Sequence, residues 1–438
     1  MKEIEDYVST LKNYLSYYEE KGYLWGNLIV IDEGKIVVEK RHGLSSVEFT
    51  IKNNSKTRFQ IGSLTKAFTA MLMFILYQEK KVDIHESINQ YIKDFPNSKR
   101  ITIYHCLTCS SGIPNFTSFD NFWEETMRMN WTLTEMIDSF KNKERAFEPG
   151  AQFSYSSSDY LVLTKIIEAV TQISYGEALK KYILEPLGMN DTGCLNERDI
   201  VENLADSYSY WGTEIQAAKT DRSFPLGAYG IFSTTRDLAI WLQAIKENKL
   251  ISENFKKQML QPFQETYACG WDISEILGFT CYQHFGDIDG FVSSVKHLEK
   301  DNFTVIFLSN LEVIPVTEIT AQIAKIRLGK EFTHPIELDV QLDRKSMEGI
   351  TGEYVNNTKK IFFEIKMERE RLYLYIAKKY EIMYKFQLHL EKTQEGEIYL
   401  QTDRVDERIT FWSKQDLLRG NCIYKDYSGE KFECQKLK

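Results

Sequence analysis

The segment from Phe59 to Tyr77 constrains the fold more than any other stretch of the chain. A short apolar strand end reaches Gly62, and the residues from Ala67 to Tyr77 are apolar almost all round. A helix without a polar face is normally buried in the middle of a domain. The sequence therefore predicts a turn at Gly62 followed by a central, buried helix.

Two reactive side chains stand at the start of this helix, the hydroxyl of Ser63 and the amine of Lys66. A spacing of three residues puts both on one helix face. The N-terminus of a helix also offers unpaired N–H groups and the positive end of its dipole. A lysine that is held neutral can activate the serine as a nucleophile, and the N–H groups can stabilise an oxyanion.

The pattern Ser-x-x-Lys is common, and further copies begin at Ser9, Ser293 and Ser428. An alternative is that Ser63 is a helix N-cap, with Lys66 reaching solvent from the first turn. Among these copies, only the one at Ser63 opens a helix that is expected to be buried. That context favours the catalytic interpretation of Ser63 and Lys66.

The size and charge of the chain exclude several classes of function. With 438 residues, 43% of them apolar, the chain is long enough for two or three domains with a large core. The formal net charge of −9 argues against nucleic acid as a partner, because such proteins carry a basic stripe. No segment approaches the ~20 apolar residues of a membrane span.

The N-terminus and the cysteines predict a cytoplasmic protein with reduced thiols. The first residues are acidic, and the apolar residues within about 1–20 fall on one face of a predicted helix, without the apolar stretch of a signal peptide. Seven scattered cysteines in such a chain indicate free thiols. Cys106 and Cys109 could be redox-active or half of a zinc site, but no second pair lies at metal-ligand spacing. Structural thiols and no metal are therefore expected.

Alternating strands and helices predict an α+β domain over residues 1–338. Between its strands, residues from about 83 to about 223 are mostly helical, so a helical insert interrupts the sheet. The strands of this domain are expected at 26–32, 35–41, 59–61, 282–285, 292–298 and 303–309.

A second domain is expected at 349–438, after a linker at 339–348. Short predicted strands, in which apolar and polar residues alternate, recur there at roughly ten-residue spacing. This pattern is typical of an antiparallel β-barrel or sandwich. These strands are expected at 361–367, 371–377, 385–390, 397–401, 408–412, 421–424 and 431–434.

Three further stretches are informative when they are compared together with the segment at 59–70. They are residues 108–114, 147–160 and 282–291. Taken in order, the four stretches resemble the penicillin-recognising serine hydrolases, in particular the class C β-lactamase branch. That branch also includes D,D-peptidases, D-aminopeptidases and esterases. The resemblance implies a β-lactamase/transpeptidase-like antiparallel sheet flanked by helices, and it implies no cofactor.

The resemblance also implies a role for each matching residue. Ser63 would be the nucleophile that forms an acyl-enzyme. Lys66 and Tyr155 would share its proton, because a nearby cation favours an ionised phenol. The backbone N–H groups of Ser63 and Asp287 would form the oxyanion hole, and Gly286 would let substrate lie against the strand.

Three positions around substrate depart from the family pattern. Ser157 replaces an asparagine whose amide grips a substrate carbonyl, and a serine hydroxyl is shorter with fewer donors. His284 replaces a lysine, which weakens the positive charge near neutral pH. Phe285 replaces a small hydroxyl residue and makes the wall apolar. Considered without the resemblance, Ser157 could cap the helix expected from Asp159, and His284 could be a hydrogen-bonded core histidine.

These departures favour a hydrolase for small esters, or for amide bonds of D-amino acid or peptide-like substrates. The first alternative is a β-lactamase or D,D-carboxypeptidase, and the second is a catalytically weak scaffold or binding protein of the same fold. An α/β-hydrolase is disfavoured because the chain has no Gly-x-Ser-x-Gly elbow. A metallohydrolase is disfavoured because the seven histidines form no His-x-x-x-His pair.

The C-terminal strand pattern resembles the lipocalin-like barrel that is often fused to such hydrolases. That resemblance leaves two interpretations open, a module that limits the size of the substrate and a module for stability or oligomerisation. The sequence does not give the natural substrate, its stereochemistry or the oligomeric state.

Overall fold

The chain divides into two units, and each is built from segments that lie far apart in the sequence. The sheet unit comprises Gly26–Ser207 and Ala217–Asn310. The barrel unit comprises Met1–Trp25, Tyr208–Gln216 and Leu311–Lys438.

The computed structural model describes residues 2–437 except 97, 197, 265–266, 277, 301, 333–348, 357, 359, 369–370, 379–381 and 393–397. The linker expected at 339–348 lies outside the described residues. The domain boundaries expected at 338 and 349 therefore stay a prediction.

Strands and helices are numbered in chain order across both units. The strands are β1 (Gly26–Asp32), β2 (Lys35–His42), β3 (Leu44–Ser46), β4 (Ile51–Lys52), β5 (Phe59–Gln60), β6 (Gly193–Cys194), β7 (Tyr208–Tyr210), β8 (Glu214–Gln216), β9 (Ile231–Ser233), β10 (Asp272–Ile276), β11 (Phe279–Ile288), β12 (Phe291–Leu298), β13 (Phe303–Ser309), β14 (Gly352–Asn356), β15 (Phe362–Glu368), β16 (Arg371–Ala377), β17 (Met383–Lys392), β18 (Ile398–Thr402), β19 (Arg408–Phe411), β20 (Asn421–Lys425) and β21 (Lys431–Lys436). The helices are α1 (Lys2–Glu20), α2 (Thr65–Gln78), α3 (Ile103–Leu107), α4 (Leu133–Lys141), α5 (Ser157–Thr171), α6 (Tyr175–Leu179), α7 (Glu185–Leu187), α8 (Leu226–Tyr229), α9 (Thr235–Lys246), α10 (Glu253–Met259), α11 (Val316–Arg327) and α12 (Lys414–Arg419).

An antiparallel sheet forms the centre of the sheet unit, with the strand order β10-β11-β12-β13-β1-β2. Every residue of β12 and β13 is buried, including the polar residues Ser293, Ser294, Lys296 and His297 of β12. β1 pairs with β13, so that Asn27 lies opposite Leu308, and this pairing joins the N-terminal hairpin to the later strands. The expected strands are present, whereas the edge strand β10 was not predicted.

Helix α2 is the buried helix that the apolar run predicts. A 3₁₀ turn at Gly62–Leu64 precedes it, and all its residues from Thr65 to Leu76 are buried. It packs against α5 and α8. The ring of Phe68 also stacks on Trp241 of α9, with 3.8 Å between the ring centroids. The helix that carries Lys66 is therefore held on several sides by apolar contacts.

Short capped helices occupy much of the segment between 83 and 223. Thr102, Thr132 and Ser174 each form a capping box at the start of α3, α4 and α6, respectively. Such caps satisfy N–H groups that have no partner inside the helix. Because Thr132 is the cap, α4 begins at Leu133.

The C-terminal strands β14 to β21 close into an antiparallel barrel of eight strands within the described residues. β16 shows the alternation that its sequence predicts, with Leu372, Leu374 and Ile376 buried between more exposed neighbours. Strand β14 was missed because a glycine and an asparagine bound its five residues. It pairs with both β15 and β21, and this double pairing closes the barrel.

Helix α1 matches the expected N-terminal helix and packs against α11 within the barrel unit. Its inward face carries Leu11, Tyr14 and Leu15, all fully buried. Of the helices in the described residues, none combines the length and the apolar character that crossing a membrane requires.

Candidate active site

The side chains of Ser63 and Lys66 are in contact, with 3.1 Å between Ser63 Oγ and Lys66 Nζ. Ser63 lies in the 3₁₀ turn, whereas the N-cap of α2 is Leu64, which makes no side-chain cap bond. Lys66 is completely buried and does not reach solvent. The alternative in which Ser63 caps the helix and Lys66 extends into water is therefore wrong.

Lys66 Nζ lies within hydrogen-bond distance of three acceptors among the described residues. These are Ser63 Oγ at 3.1 Å, Ser157 Oγ at 3.3 Å and the backbone oxygen of Ala228 at 3.0 Å. An ammonium has three N–H donors and fits all three acceptors. A neutral amine has two N–H donors and a lone pair, so it can take the proton of Ser63 while it still donates to the other two.

Burial makes the neutral form of Lys66 accessible near physiological pH. Desolvation lowers the pKa of Lys66 from its ordinary value of 10.5 to about 7, while the nearby Cys109 and Asp287 act in the opposite direction. An amine without water around it loses the stabilisation of its charged form. A substantial share of Lys66 is therefore unprotonated at pH 7.

Two tyrosine rings face Lys66 Nζ. The centroid of the Tyr155 ring lies 4.8 Å away and that of Tyr160 lies 5.6 Å away. Tyr160 is fully buried and donates its hydroxyl to the backbone oxygen of Leu107 at 2.9 Å. Tyr155 is 38% exposed, so it joins the buried amine to solvent. The structure thus brings Tyr155 to Lys66.

Ser157 does not cap a helix but begins one. The N-cap of α5 is Ser156, whose Oγ accepts a hydrogen bond from Asp159 N at 3.4 Å. The helix was expected from Asp159, two residues late. As the first helical residue, Ser157 turns its hydroxyl to Lys66 instead.

Asn115 is a site residue that the sequence did not reveal. Its Oδ1 accepts a hydrogen bond from Ser157 N at 3.0 Å. Next to this contact, Ser158 Oγ accepts from Phe116 N at 2.9 Å and donates to the backbone oxygen of Pro114 at 2.7 Å. The Gly-Ile-Pro-Asn stretch is therefore tied to the start of α5. Glycine and proline favour a break in regular structure, but no local pattern indicates which residues this stretch contacts.

Close backbone packing joins the serine turn to β11. A Cβ atom added at Gly286 would lie 2.0 Å from the oxygen of Ile61 and 2.9 Å from Ser63 N. A Cβ atom at Gly62 would lie 2.7 Å from Asp287 N. Only glycine fits at these two positions, and the backbone nitrogens of Ser63 and Asp287 consequently lie on neighbouring stretches of chain.

His284 is a neutral imidazole. Its Nδ1 lies 2.6 Å from the backbone oxygen of Phe285, and a carbonyl oxygen can only accept, so Nδ1 carries the proton. Nε2 is then an acceptor, and it is buried without a hydrogen-bond partner among the described residues. Burial, reinforced by Lys66, lowers the pKa of His284 to about 3. His284 therefore supplies no positive charge near pH 7.

Phe285 and Asp287 are half-buried and alternate with His284 along β11. Successive side chains of a strand point to opposite faces, so both project from the face opposite to His284. The backbone nitrogen of Asp287, by contrast, lies beside Gly62 of the serine turn. Within the described part of the chain, no group of three or more His, Cys, Asp or Glu residues is placed to hold a metal ion.

The family model described as Beta-lactamase matches residues 16–326 of this chain. The chain belongs to the beta-lactamase family. This family, together with the similarity to a penicillin-binding protein, supports a serine hydrolase or acyltransferase.

Two curated relatives of this beta-lactamase-family chain illustrate the range of similarity. It is 27% identical over 317 residues to Protein flp of Staphylococcus aureus strain MRSA252, covering 68% of this chain and 62% of that protein. The chain thus spans less than two thirds of the length of flp. It is 26% identical over 445 residues to Penicillin-binding protein 4* of Bacillus subtilis strain 168, covering 94% of this chain and 95% of the relative.

Two solved structures show the same fold. The octameric penicillin-binding protein homologue from Pyrococcus abyssi has a TM-score of 0.68 and 24% identity, covering 98% of this chain and 100% of that one. The D-amino acid amidase from Ochrobactrum anthropi SV3, complexed with D-phenylalanine, has a TM-score of 0.63 and 22% identity. That similarity covers 74% of this chain and 99% of the amidase.

Proposed function

We propose that this protein hydrolyses a small ester, or amide bonds of D-amino acid or peptide-like substrates, through an acyl-enzyme on Ser63. The contact of 3.1 Å between Ser63 Oγ and the buried Lys66 Nζ carries this proposal. A serine and a lysine at this distance, inside an apolar helix junction, have the geometry of a nucleophile and its base.

In the acylation step, neutral Lys66 accepts the proton of Ser63 while Ser63 Oγ attacks the substrate carbonyl carbon. The oxyanion that forms lies between the backbone N–H groups of Ser63 and Asp287. Tyr155, whose ring faces Lys66 and is partly exposed, relays a proton to the leaving group. Loss of the alcohol or amine leaves the acyl group on Ser63, and a water molecule then releases it as a carboxylic acid.

The charge around the site supports substrates without a carboxylate next to the reacting carbonyl. His284 is neutral, so it cannot hold a carboxylate as an ammonium does. Ser157 is occupied with Lys66 and offers only a short hydroxyl. D-amino acid amides are included because the similar Ochrobactrum amidase was solved with D-phenylalanine.

Intact-mass labelling with a fluorophosphonate tests the nucleophile. We expect one adduct on the wild-type protein and none on Ser63→Ala. Ser428→Ala is a matched control, because Ser428 begins another Ser-x-x-Lys sequence on the barrel unit and should still allow labelling. Labelling that persists in Ser63→Ala, or that fails with fluorophosphonates and penicillins alike, contradicts the proposal and favours a catalytically weak scaffold.

A β-lactamase or D,D-carboxypeptidase is the second candidate, because the chain matches Penicillin-binding protein 4* over nearly its whole length. Steady-state rates on nitrocefin, p-nitrophenyl esters and D-aminoacyl anilides separate the two. Turnover of nitrocefin that is faster than turnover of the esters and anilides would replace the first candidate with the second.

A further inference from the structure

We propose that Asn115 is a positioning residue of this active site, which holds Ser157 against Lys66 and thereby tunes the proton transfer from Ser63. The inference rests on the proposed function and deepens it. Asn115 itself acts through Ser157, because its side-chain hydrogen bonds within the described residues go to Ser157 and to residues 117–118.

Both ends of the Asn115 carboxamide are engaged, which fixes its orientation. The backbone N–H of Ser157 can only donate, so the atom at 3.0 Å is the acceptor Oδ1. Nδ2 then points the other way and donates to Thr117 Oγ1 at 2.8 Å. The carboxamide is thus a rigid link between the Pro-Asn segment and the first residue of α5.

This link supplies a hydrogen-bond acceptor at the first turn of α5. The first N–H groups of a helix have no acceptor within the helix, and an acceptor from another segment fixes the first turn. Ser157 is the first residue of α5, and its Oγ lies 3.3 Å from Lys66 Nζ. Holding Ser157 N therefore also holds one of the three acceptors around Lys66.

The short side chain at position 157 makes this support necessary. A serine hydroxyl reaches Lys66 only if the start of α5 lies close to α2, whereas a longer side chain could span a variable gap. Asn115, about forty residues earlier in the chain, supplies this support through Ser157 N.

A shift in the protonation of Lys66 can be attributed to Asn115 only if its other neighbours are unchanged. A substitution at Asn115 alters none of them directly. The titratable and charged groups that face Lys66 from the packed elements are Cys109, Tyr155, Tyr160, His284 and Asp287.

The test compares Asn115→Ala and Asn115→Asp with wild type in the full chain. The second-order rate of acylation by p-nitrophenyl acetate is measured from pH 5 to pH 9. For Asn115→Ala we expect the plateau to fall about tenfold, equivalent to the loss of one strong cap. The acidic limb of the profile, where the rate rises with pH, should move to lower pH. The reason is that a loosened Ser157 hydroxyl accepts a weaker hydrogen bond from the Lys66 ammonium.

The aspartate variant should behave differently. It keeps an acceptor oxygen for Ser157 N, so the plateau should recover towards the wild-type value. Its negative charge near Lys66 should move the acidic limb to higher pH. Shifts in opposite directions separate positioning from general damage to the fold. If thermal melting shows that Asn115→Ala is unfolded, the proposal is tested by the direction in which the acidic part of the Asn115→Asp pH–rate profile moves.

Asn130→Ala is the matched control, because Asn130 is an exposed asparagine whose carboxamide bonds to Asp221 at 3.4 Å. It should retain the wild-type profile. The proposal is overturned if Asn115→Ala keeps the wild-type plateau rate and the wild-type pH dependence. It is also overturned if the rate of Asn115→Asp does not rise at a higher pH than that of the wild type. Absence of a Ser63-dependent adduct on the wild-type protein is a separate result, which overturns the proposed function together with this inference.

Discussion

Lys66 Nζ and Ser63 Oγ lie 3.1 Å apart at the junction of a 3₁₀ turn and a buried helix. The two residues are three apart in sequence, so this contact is fixed by local backbone geometry. Long-range contacts from α5 and α8 then complete the surroundings of the amine. The candidate nucleophile and its base are therefore held in contact by the fold itself.

The rate of acylation should rise with pH through about 7. Burial lowers the pKa of Lys66 to about 7, and only the unprotonated amine accepts the proton of Ser63. Below that value the amine is charged and the rate falls about tenfold per pH unit for a single group. Stopped-flow measurement with a neutral ester checks this. A limb centred above pH 9, the range of an ordinary lysine, would contradict the proposed base.

Gly286→Ala should abolish activity and destabilise the sheet unit. The new Cβ would lie 2.0 Å from the oxygen of Ile61, which forces the backbone of the serine turn away from β11. Overpacking of this kind costs about 1–3 kcal/mol. Thermal melting and ester hydrolysis measure the two effects.

Gly176→Ala is the control for that substitution. Gly176 lies in α6, and a Cβ there would meet only Cys194 Cβ at 3.5 Å, an ordinary contact. Alanine also favours a helix interior over glycine by about 1 kcal/mol. This variant should therefore be at least as stable as wild type, and a loss similar to that of Gly286→Ala would contradict the packing argument.

A double variant, His284→Lys with Ser157→Asn, should shift preference towards substrates that carry a carboxylate. Lysine at 284 would restore a positive charge, and asparagine at 157 would restore an amide donor. We expect kcat/KM for nitrocefin to rise at least about tenfold relative to a neutral ester, equivalent to ~1.4 kcal/mol. The single variants are the controls, and an unchanged ratio in all three proteins would show that the carboxylate is held elsewhere.

Lys378→Ala should destabilise the barrel unit strongly. Glu407 is completely buried, and it pairs there with Lys378 and accepts a hydrogen bond from Tyr424 at 2.8 Å. Removal of the lysine leaves a buried carboxylate without its counter-charge, which costs about 3–5 kcal/mol. Calorimetry of the full chain measures the loss.

The control for Lys378→Ala is Lys366→Ala. Lys366 pairs with Glu364 at 2.8 Å, but its side chain is 48% exposed. Exposed pairs of this kind contribute about 0–1 kcal/mol. Equal losses in the two variants would contradict the claim that burial decides the value of the Lys378 pair.

Features set by short stretches of sequence were predictable. The apolar run after Gly62 identified the buried helix, and the Ser-x-x-Lys spacing just before and within it identified Ser63 and Lys66 as a candidate nucleophile and base. Strict alternation in residues 371–377 likewise gave β16 with its bounds. In these places the local pattern and the tertiary packing favour the same structure.

Features set by contacts between distant segments were not predictable. Ala228 lies 162 residues from Lys66, and a backbone oxygen leaves no mark in the sequence. Asn115 meets Ser157 across 42 residues, and nothing in its own segment indicates that partner. The departures at Ser157 and His284 were visible only because a family pattern was available for comparison.

The buried amine couples folding to proton release. An unfolded lysine keeps its proton up to the ordinary value of 10.5, whereas burial lowers the pKa of Lys66 to about 7. Between these values the chain expels a proton as it folds, so the contribution of Lys66 to the free energy of unfolding rises with pH. Generating the neutral amine at pH 7 opposes folding by an amount on the order of 5 kcal/mol. Under the proposed function, the folding transition that builds the core thus also supplies the neutral amine that accepts the proton of Ser63.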